Sequence, residues 1–242
     1  MGVAFVLLVG LVAGVFSGIV GTGSSLMLVP VLSAVYGPIE AVPIMAVAAV
    51  MANVSRVLAW WRTVDWRAFA AYAGAGAPAA VLGAKTLLVM PARVADIAIG
   101  LFLLAMIPLR RRMADRLKGL RPVHLALAGG VIGFLTGIVV STGPISVPVF
   151  LGYGLVGGAF IGTEAAGSLA VYLAKTLAFG QSGALPVEVL MRGLVVGASL
   201  MAGAFAAKPF VLRMKPEQFQ VVMEALMLCA GLAMLGNALI RS

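Results

Sequence analysis

Apolar segments of membrane-spanning length fill this chain almost from end to end. They run at about 3–20, 26–36, 40–61, 66–89 and 92–109, and again at 123–140, 145–156, 158–179, 186–207 and 216–240. Most of them reach the roughly 20 residues that a helix needs to cross a bilayer, whereas 26–36 and 145–156 do not. Hydrophobic residues make up 62% of the chain and charged residues only 10%, too little charge to cover a soluble globule. The pattern therefore predicts an all-α polytopic membrane protein.

An internal duplication with a spacing of about 119 residues organises these segments. The stretch 11–20 reappears as 130–139, and each copy is followed by a polar break and a proline. Both copies contain a Gly-x-x-x-Gly pattern, which predicts close contact with a neighbouring helix. The same spacing makes Arg56 correspond to Lys175. We therefore predict two structural repeats, each a broken or re-entrant helical hairpin followed by three transmembrane helices.

The basic residues between the repeats predict the orientation of the chain. A linker at 113–121 separates the N-terminal repeat, 1–112, from the C-terminal repeat, 122–242. Residues 110–121 hold six of the seventeen basic residues, which predicts that this stretch is cytoplasmic. If 3–36 is one broken crossing, the basic residues divide 9 to 5 across the membrane, and if it is a re-entrant hairpin they divide 11 to 3. The second division favours inverted repeats with both termini outside, although the sequence leaves open whether 3–36 is a hairpin or two crossings.

Two clusters of small and polar residues interrupt the apolar segments at matched positions. Paired interruptions of this kind point to a transporter binding site, because unwound backbone at membrane depth must be buried in protein or line a wet cavity. Each break also begins a short helix whose N-terminus favours an anion. The alternative is a pair of ordinary surface turns. The predicted substrate ligands in the breaks are Thr22, Gly23, Ser24, Ser25, Ser141, Thr142, Gly143 and Ser146.

Several charged and polar residues outside the breaks are also candidates. Arg56 and Lys175 lie about one turn inside a helix end and would attract the anion, unless they only extend to the membrane surface. Asn53 and Tyr172 precede them by one turn and face the same site or bond neighbouring helices. Two acids, Glu164 and Glu224, lie deepest in apolar segments, where an ionised carboxylate is costly. Either acid is a candidate for proton coupling, with a structural pairing as the alternative.

These features resemble the TauE/SafE family of anion transporters, also called the sulfite exporter or four-toluene-sulfonate uptake family. Residues 21–25 with Pro30 resemble its glycine-rich motif, residues 141–148 resemble a diverged second copy, and residues 64–66 resemble its V-D-W-like turn. The resemblance covers nearly the whole chain. It implies a bacterial inner-membrane protein that exports or takes up sulfite, sulfonates or other small organic anions.

No catalytic signature accompanies these motifs. The sequence has no H-E-x-x-H, no Cys/His cluster and no phosphate-binding loop, and its single histidine cannot build a metal site. We therefore expect a secondary transporter and not an enzyme, with no cofactor and no metal. A passive anion channel on the same fold is the alternative. The expected partners are the anion and the lipid bilayer, with no nucleic acid despite a net charge of +9, and a homodimer is one option for assembly.

Overall fold

The computed structural model of the protein is helical wherever it assigns regular structure. It describes residues 35–139 and 142–207, together with 6, 8–15, 28, 31–32, 224–225, 228–229, 231–232, 235–236 and 239. Within 35–207 the α-helices are α1 (Pro38–Trp60), α2 (Trp66–Val89), α3 (Ala92–Arg116), α4 (Pro122–Ile138), α5 (Gly143–Gly152), α6 (Gly157–Gln181) and α7 (Val187–Ala207). A short 3-10 turn, Trp61–Thr63, joins α1 to α2. The prediction of an all-helical chain is confirmed for these residues.

Local sequence signals fix the ends of several helices. Pro38 begins α1, where the missing N–H of proline costs nothing. Asp65 caps α2 by accepting hydrogen bonds from the backbone amides of Arg67 at 3.0 Å and Ala68 at 2.9 Å. The α3 helix continues beyond its apolar segment as far as Arg116, so only 117–121 is non-helical between α3 and α4. The first part of the predicted linker is therefore helical.

By length and composition, two helices of the described part qualify as membrane spans. These are Glu40–Thr63, with a mean hydropathy of 1.8, and Trp66–Val89, with a mean hydropathy of 1.2. The α5 helix has only 10 residues, so it is about 15 Å long and cannot cross a hydrocarbon core about 30 Å thick. The prediction that this segment is too short to span is confirmed, and α5 packs against α3, α4 and α6.

Glycine allows two pairs of helical segments to approach backbone to backbone. On the α4 side, a Cβ atom at Gly133 would lie 2.2 Å from the carbonyl oxygen of Gly76 in α2. A Cβ atom at Gly14, in the helical residues 8–15, would lie 2.3 Å from the carbonyl oxygen of Leu200 in α7. The close contacts predicted from the Gly-x-x-x-Gly patterns are thus confirmed. Gly14 and Gly133 correspond under the spacing of 119 residues and lie against α7 and α2, although the residues they meet, Leu200 and Gly76, do not correspond.

The α1 and α6 helices form the centre of the packing. They contact each other, and α1 also packs against α7 while α6 packs against α2. Every residue from 41 to 49 of α1 is buried. The end of α1 and the turn after it pack against α6. A Cβ atom at Gly158 would lie 2.4 Å from the Trp60 ring, and the Asp65 amide donates to the Thr163 hydroxyl at 2.9 Å. This contact holds the end of α1 beside the first half of α6.

Candidate functional site

A buried polar cluster joins α1, α5 and α6. We call it the Arg56 cluster, and it consists of Asn53, Arg56, Ser146, Glu164 and Ser168. Nη1 of Arg56 lies 3.2 Å from Oε2 of Glu164, and Nη2 donates to Oδ1 of Asn53. The other carboxylate oxygen, Oε1, accepts from the hydroxyls of Ser146 at 3.1 Å and Ser168 at 2.9 Å. The side chains of Arg56 and Glu164 are 11% and 3% exposed, so this ion pair is shielded from bulk solvent.

Arg56 retains the capacity to bind a further acceptor. A guanidinium carries five N–H donors in one plane, and the bonds to Glu164 and Asn53 use only its two Nη atoms. Its Nε is buried and has no hydrogen-bond partner among the residues that the structure describes. Because the planar guanidinium matches oxyanions in shape as well as in charge, Arg56 is suited to hold one.

A second buried cluster surrounds the break between α4 and α5. We call it the Lys175 cluster, and it consists of Thr136, Val139, Thr142 and Lys175. Lys175 of α6 is fully buried, and its Nζ donates to the carbonyl oxygens of Thr136 at 2.5 Å and Val139 at 2.9 Å. These carbonyls lie at the C-terminal end of α4, where they lack helical partners and carry the negative end of the dipole. Lys175 therefore caps α4 at the break.

Two threonine hydroxyls connect the end of α4 to the start of α5. The Oγ1 atoms of Thr136 and Thr142 lie 2.5 Å apart, and Thr136 also donates to the carbonyl of Ile132 at 2.6 Å. The Lys175 ammonium contacts backbone carbonyls and the Phe179 ring, at 5.6 Å from its centroid, but no carboxylate within the described part of the chain. An anion at this position would complete its charge balance.

The first turn of α5 lies between the two clusters, because Thr142 belongs to one and Ser146 to the other. The backbone amides of Ile145 and Ser146 both donate to the Thr142 carbonyl, at 2.9 and 3.0 Å, and Pro144 has no N–H. Only Gly143 can therefore offer a backbone N–H to a ligand from this turn. The α5 tip presents fewer amides than the sequence prediction assumed, so hydroxyls and cations must supply most of the contacts to an anion.

The two cations that correspond in the duplication have different environments. Glu164 and Lys175 are eleven residues apart in α6, which is about 16 Å along the helix axis. The cations therefore belong to separate clusters on two sides of the α5 tip. Tyr172 is buried in α6 one turn before Lys175. Glu224 is half-buried in the C-terminal segment.

The predicted ligands Thr22, Gly23, Ser24, Ser25 and Ser141 lie outside the described residues. Three members of the clusters, Thr136, Val139 and Ser168, were absent from the sequence prediction. Ser168 follows Glu164 by four residues, a spacing that places both on one face of a helix and could have identified it. Thr136 directly precedes the break, but nothing in the sequence indicates that its carbonyl binds Lys175.

A cavity of about 380 Å³ lies elsewhere, on the α7 side of the molecule, and includes Tyr36, Glu188 and Arg192 in its lining. Arg192 donates to Glu40 at 2.8 Å and to Glu188, and it stacks 4.5 Å from the Tyr36 ring centroid. Because two carboxylates already neutralise Arg192, this cavity is a poorer anion site than the α5 tip. Among the described residues, the two buried clusters are therefore the better candidates for an anion site.

Buried cations beside a helix break, within an apolar helical bundle, define a helical membrane transporter as the class of this protein. The sequence profile described as sulfite exporter TauE/SafE matches residues 6–234. The chain therefore belongs to the TauE/SafE sulfite exporter family, a family of membrane transporters, and the resemblance stated from the motifs is confirmed. No curated protein and no solved structure matches the chain significantly.

Proposed function

We propose that this protein is a secondary transporter that exports small anions, such as sulfite, sulfonates or organic acids, across the bacterial inner membrane. The observation that carries the proposal is the pair of buried cations, Arg56 and Lys175, on either side of the α5 tip. A buried cation is costly unless an anion or hydrogen-bond acceptors compensate it, and a substrate anion supplies that compensation. Family membership supplies the class of substrate.

In this proposal the anion binds beside the first turn of α5. The hydroxyls of Thr142 and Ser146 and the amide of Gly143 would contact its oxygens, while Arg56 and Lys175 would supply positive charge. Asn53 orients Arg56 through a side-chain hydrogen bond, with its own amide nitrogen held by the Ala49 carbonyl at 2.8 Å. Residues 22–25, which lie outside the described residues, stay the predicted ligands from the other repeat.

We further propose that the two halves of the chain are inverted repeats that exchange conformations in alternating access. The matching glycine contacts support this proposal. A Cβ atom at Gly129 would meet the Tyr72 carbonyl of α2 at 2.3 Å, and one at the corresponding Gly10 would meet the Ser199 hydroxyl of α7 at 2.1 Å, so corresponding glycines lie against α2 in one half and against α7 in the other. The packing of α1 on α7 likewise has its counterpart in the packing of α6 on α2. The linker 110–121 would be cytoplasmic, with both termini outside.

Counterflow in proteoliposomes tests the proposed site. Vesicles loaded with unlabelled sulfite should take up radiolabelled sulfite when they contain the wild-type protein. Arg56→Gln should abolish this exchange, whereas Arg192→Gln, a matched loss of an arginine outside the site, should retain at least half of it. Equal exchange by both variants would remove Arg56 from the mechanism. Accumulation driven by an imposed pH gradient separates a coupled transporter from a passive channel, which cannot accumulate its substrate beyond the electrochemical gradient of the anion.

A further inference from the structure

Arg56 and Glu164 form an ion pair inside the protein, and an anion that binds Arg56 would have to compete with Glu164 for it. Both side chains are nearly inaccessible, and a buried charge that loses its partner is strongly unfavourable. Without substrate, the Glu164 carboxylate is the counter-ion of Arg56 at 3.2 Å. An anion bound to the same guanidinium would place two negative charges side by side in a medium of low dielectric constant, where their repulsion is poorly screened.

A proton on Glu164 removes this conflict, and the cluster is built to accept one. As a carboxylate, Glu164 accepts from Ser146 and Ser168. The Ser146 hydroxyl has a second acceptor in reach, the Gly143 carbonyl at 3.3 Å. When Glu164 is protonated, it can donate to the Ser146 oxygen while the Ser146 hydroxyl turns to Gly143. Both protonation states are therefore satisfied without a change in helix packing.

The groups around Glu164 make Arg56 its principal charge partner. From α1 it pairs with Arg56, and from α2 the buried Tyr72 interacts with it electrostatically. The α5 helix contains no ionisable side chain. Lys175 of α6 lies about 16 Å away along the helix. The other acidic and basic side chains of the helices and the 3-10 turn packed against α6 are exposed: Glu40, Arg62, Arg67, Lys85 and His124. Protonation of Glu164 therefore acts mainly on Arg56.

We propose that the substrate anion and the Glu164 carboxylate compete for Arg56, so that each anion binds together with one proton. This inference rests on the proposed function and specifies its coupling. In the empty site, Arg56 pairs with ionised Glu164. In the loaded site, the proton is on Glu164 and the anion is on Arg56. The proton and the anion then cross the membrane in the same direction. For a monoanion this cycle is electroneutral, so export requires an outward gradient of the anion that is larger than the inward gradient of protons.

The test uses radiolabelled methanesulfonate, because a sulfonate stays fully ionised over the pH range used and its own charge does not change. Wild-type proteoliposomes should accumulate it when the outside is acidic, and an imposed membrane potential should have little effect. Glu164→Gln mimics the protonated carboxyl permanently. This variant should keep counterflow, lose accumulation driven by the pH gradient, and become sensitive to membrane potential. Glu188→Gln, at an exposed glutamate of α7, should behave like the wild type.

The outcomes separate the two proposals. Absence of methanesulfonate counterflow in the wild type would count against the proposed function for sulfonates. The proposed competition for Arg56 would be wrong if the wild type shows counterflow and the Glu164→Gln variant still accumulates methanesulfonate in response to a pH gradient. It would also be wrong if a monodisperse Glu164→Gln protein loses counterflow. A measurement on the wild type is independent of folding of the variant. When the wild-type protein binds methanesulfonate in weakly buffered detergent solution, it should take up one proton per anion. Its affinity for the anion should fall about tenfold per pH unit in the pH range where the free protein has lost this proton. No proton uptake would overturn the competition.

Discussion

The backbone contact between α2 and α4 makes a sharp prediction about two glycines of the same helix. A Cβ atom at Gly133 would lie 2.2 Å from the Gly76 carbonyl oxygen and 2.7 Å from its Cα. These are backbone atoms, so the helices would have to separate by roughly 1 Å or more to restore van der Waals distances. A Cβ atom at Gly130 would meet only the Cβ of Ala75, at an ordinary 3.9 Å. Gly133→Ala and Gly130→Ala are therefore chemically identical changes with opposite expected effects.

The magnitudes follow from the two environments. Overpacking at a rigid contact costs about 1–3 kcal/mol of unfolding free energy, whereas alanine in place of glycine inside a helix gains about 0.5–1 kcal/mol. We expect Gly130→Ala to unfold at or slightly above the wild-type temperature and Gly133→Ala to unfold roughly 5–10 °C below Gly130→Ala. The assay is thermal unfolding in detergent, followed by the loss of the monodisperse peak in size-exclusion chromatography. If Gly133→Ala is as stable as Gly130→Ala, the close approach of α2 and α4 is wrong.

Three further predictions concern the polar contacts. Lys175→Met leaves two buried carbonyls of α4 without a donor, so substrate affinity and maximal counterflow rate should both fall at least tenfold. Lys175→Arg can still donate to those carbonyls, so this variant should keep part of the affinity. Thr142→Val removes a hydroxyl from the α5 tip and should raise the half-saturating anion concentration about tenfold with little change in maximal rate; an unchanged value would exclude this hydroxyl from the site. Glu40→Gln breaks a partly exposed ion pair with Arg192 and should lower unfolding free energy by less than about 1 kcal/mol, an effect that 0.5 M salt should abolish.

The sequence was most informative where local chemistry decides the structure. The α2 helix begins and ends where its apolar segment does, because Asp65 caps its first turn and Pro91 stands two positions after its last residue, Val89. The glycine patterns also predicted close helix contacts, since only glycine permits such contacts between backbones. The α3 helix continues past its apolar segment into the linker, because arginine and methionine are good helix formers and apolar length alone does not end a helix.

The partners of the buried charges could not be predicted from sequence. Arg56 and Glu164 are separated by 108 residues, and no pattern in the chain connects them. Lys175 binds backbone carbonyls, which every residue carries, so sequence offers no signal for that partner. The duplication suggested equal roles for the two cations, whereas the structure gives one a carboxylate and the other a helix end.

This inequality has a cause in the duplication itself. Under the spacing of 119 residues, Glu164 corresponds to Met45, a buried residue of α1 that carries no charge. The described part of the protein therefore has two corresponding cations but a carboxylate beside only one of them. Inverted repeats can exchange their conformations symmetrically, yet a proton can be carried only where an acid is present. If Glu164 is the coupling group, the two halves share the movement while α6 of the second half carries the proton, and introducing a glutamate at position 45 should change the number of protons that accompany each anion.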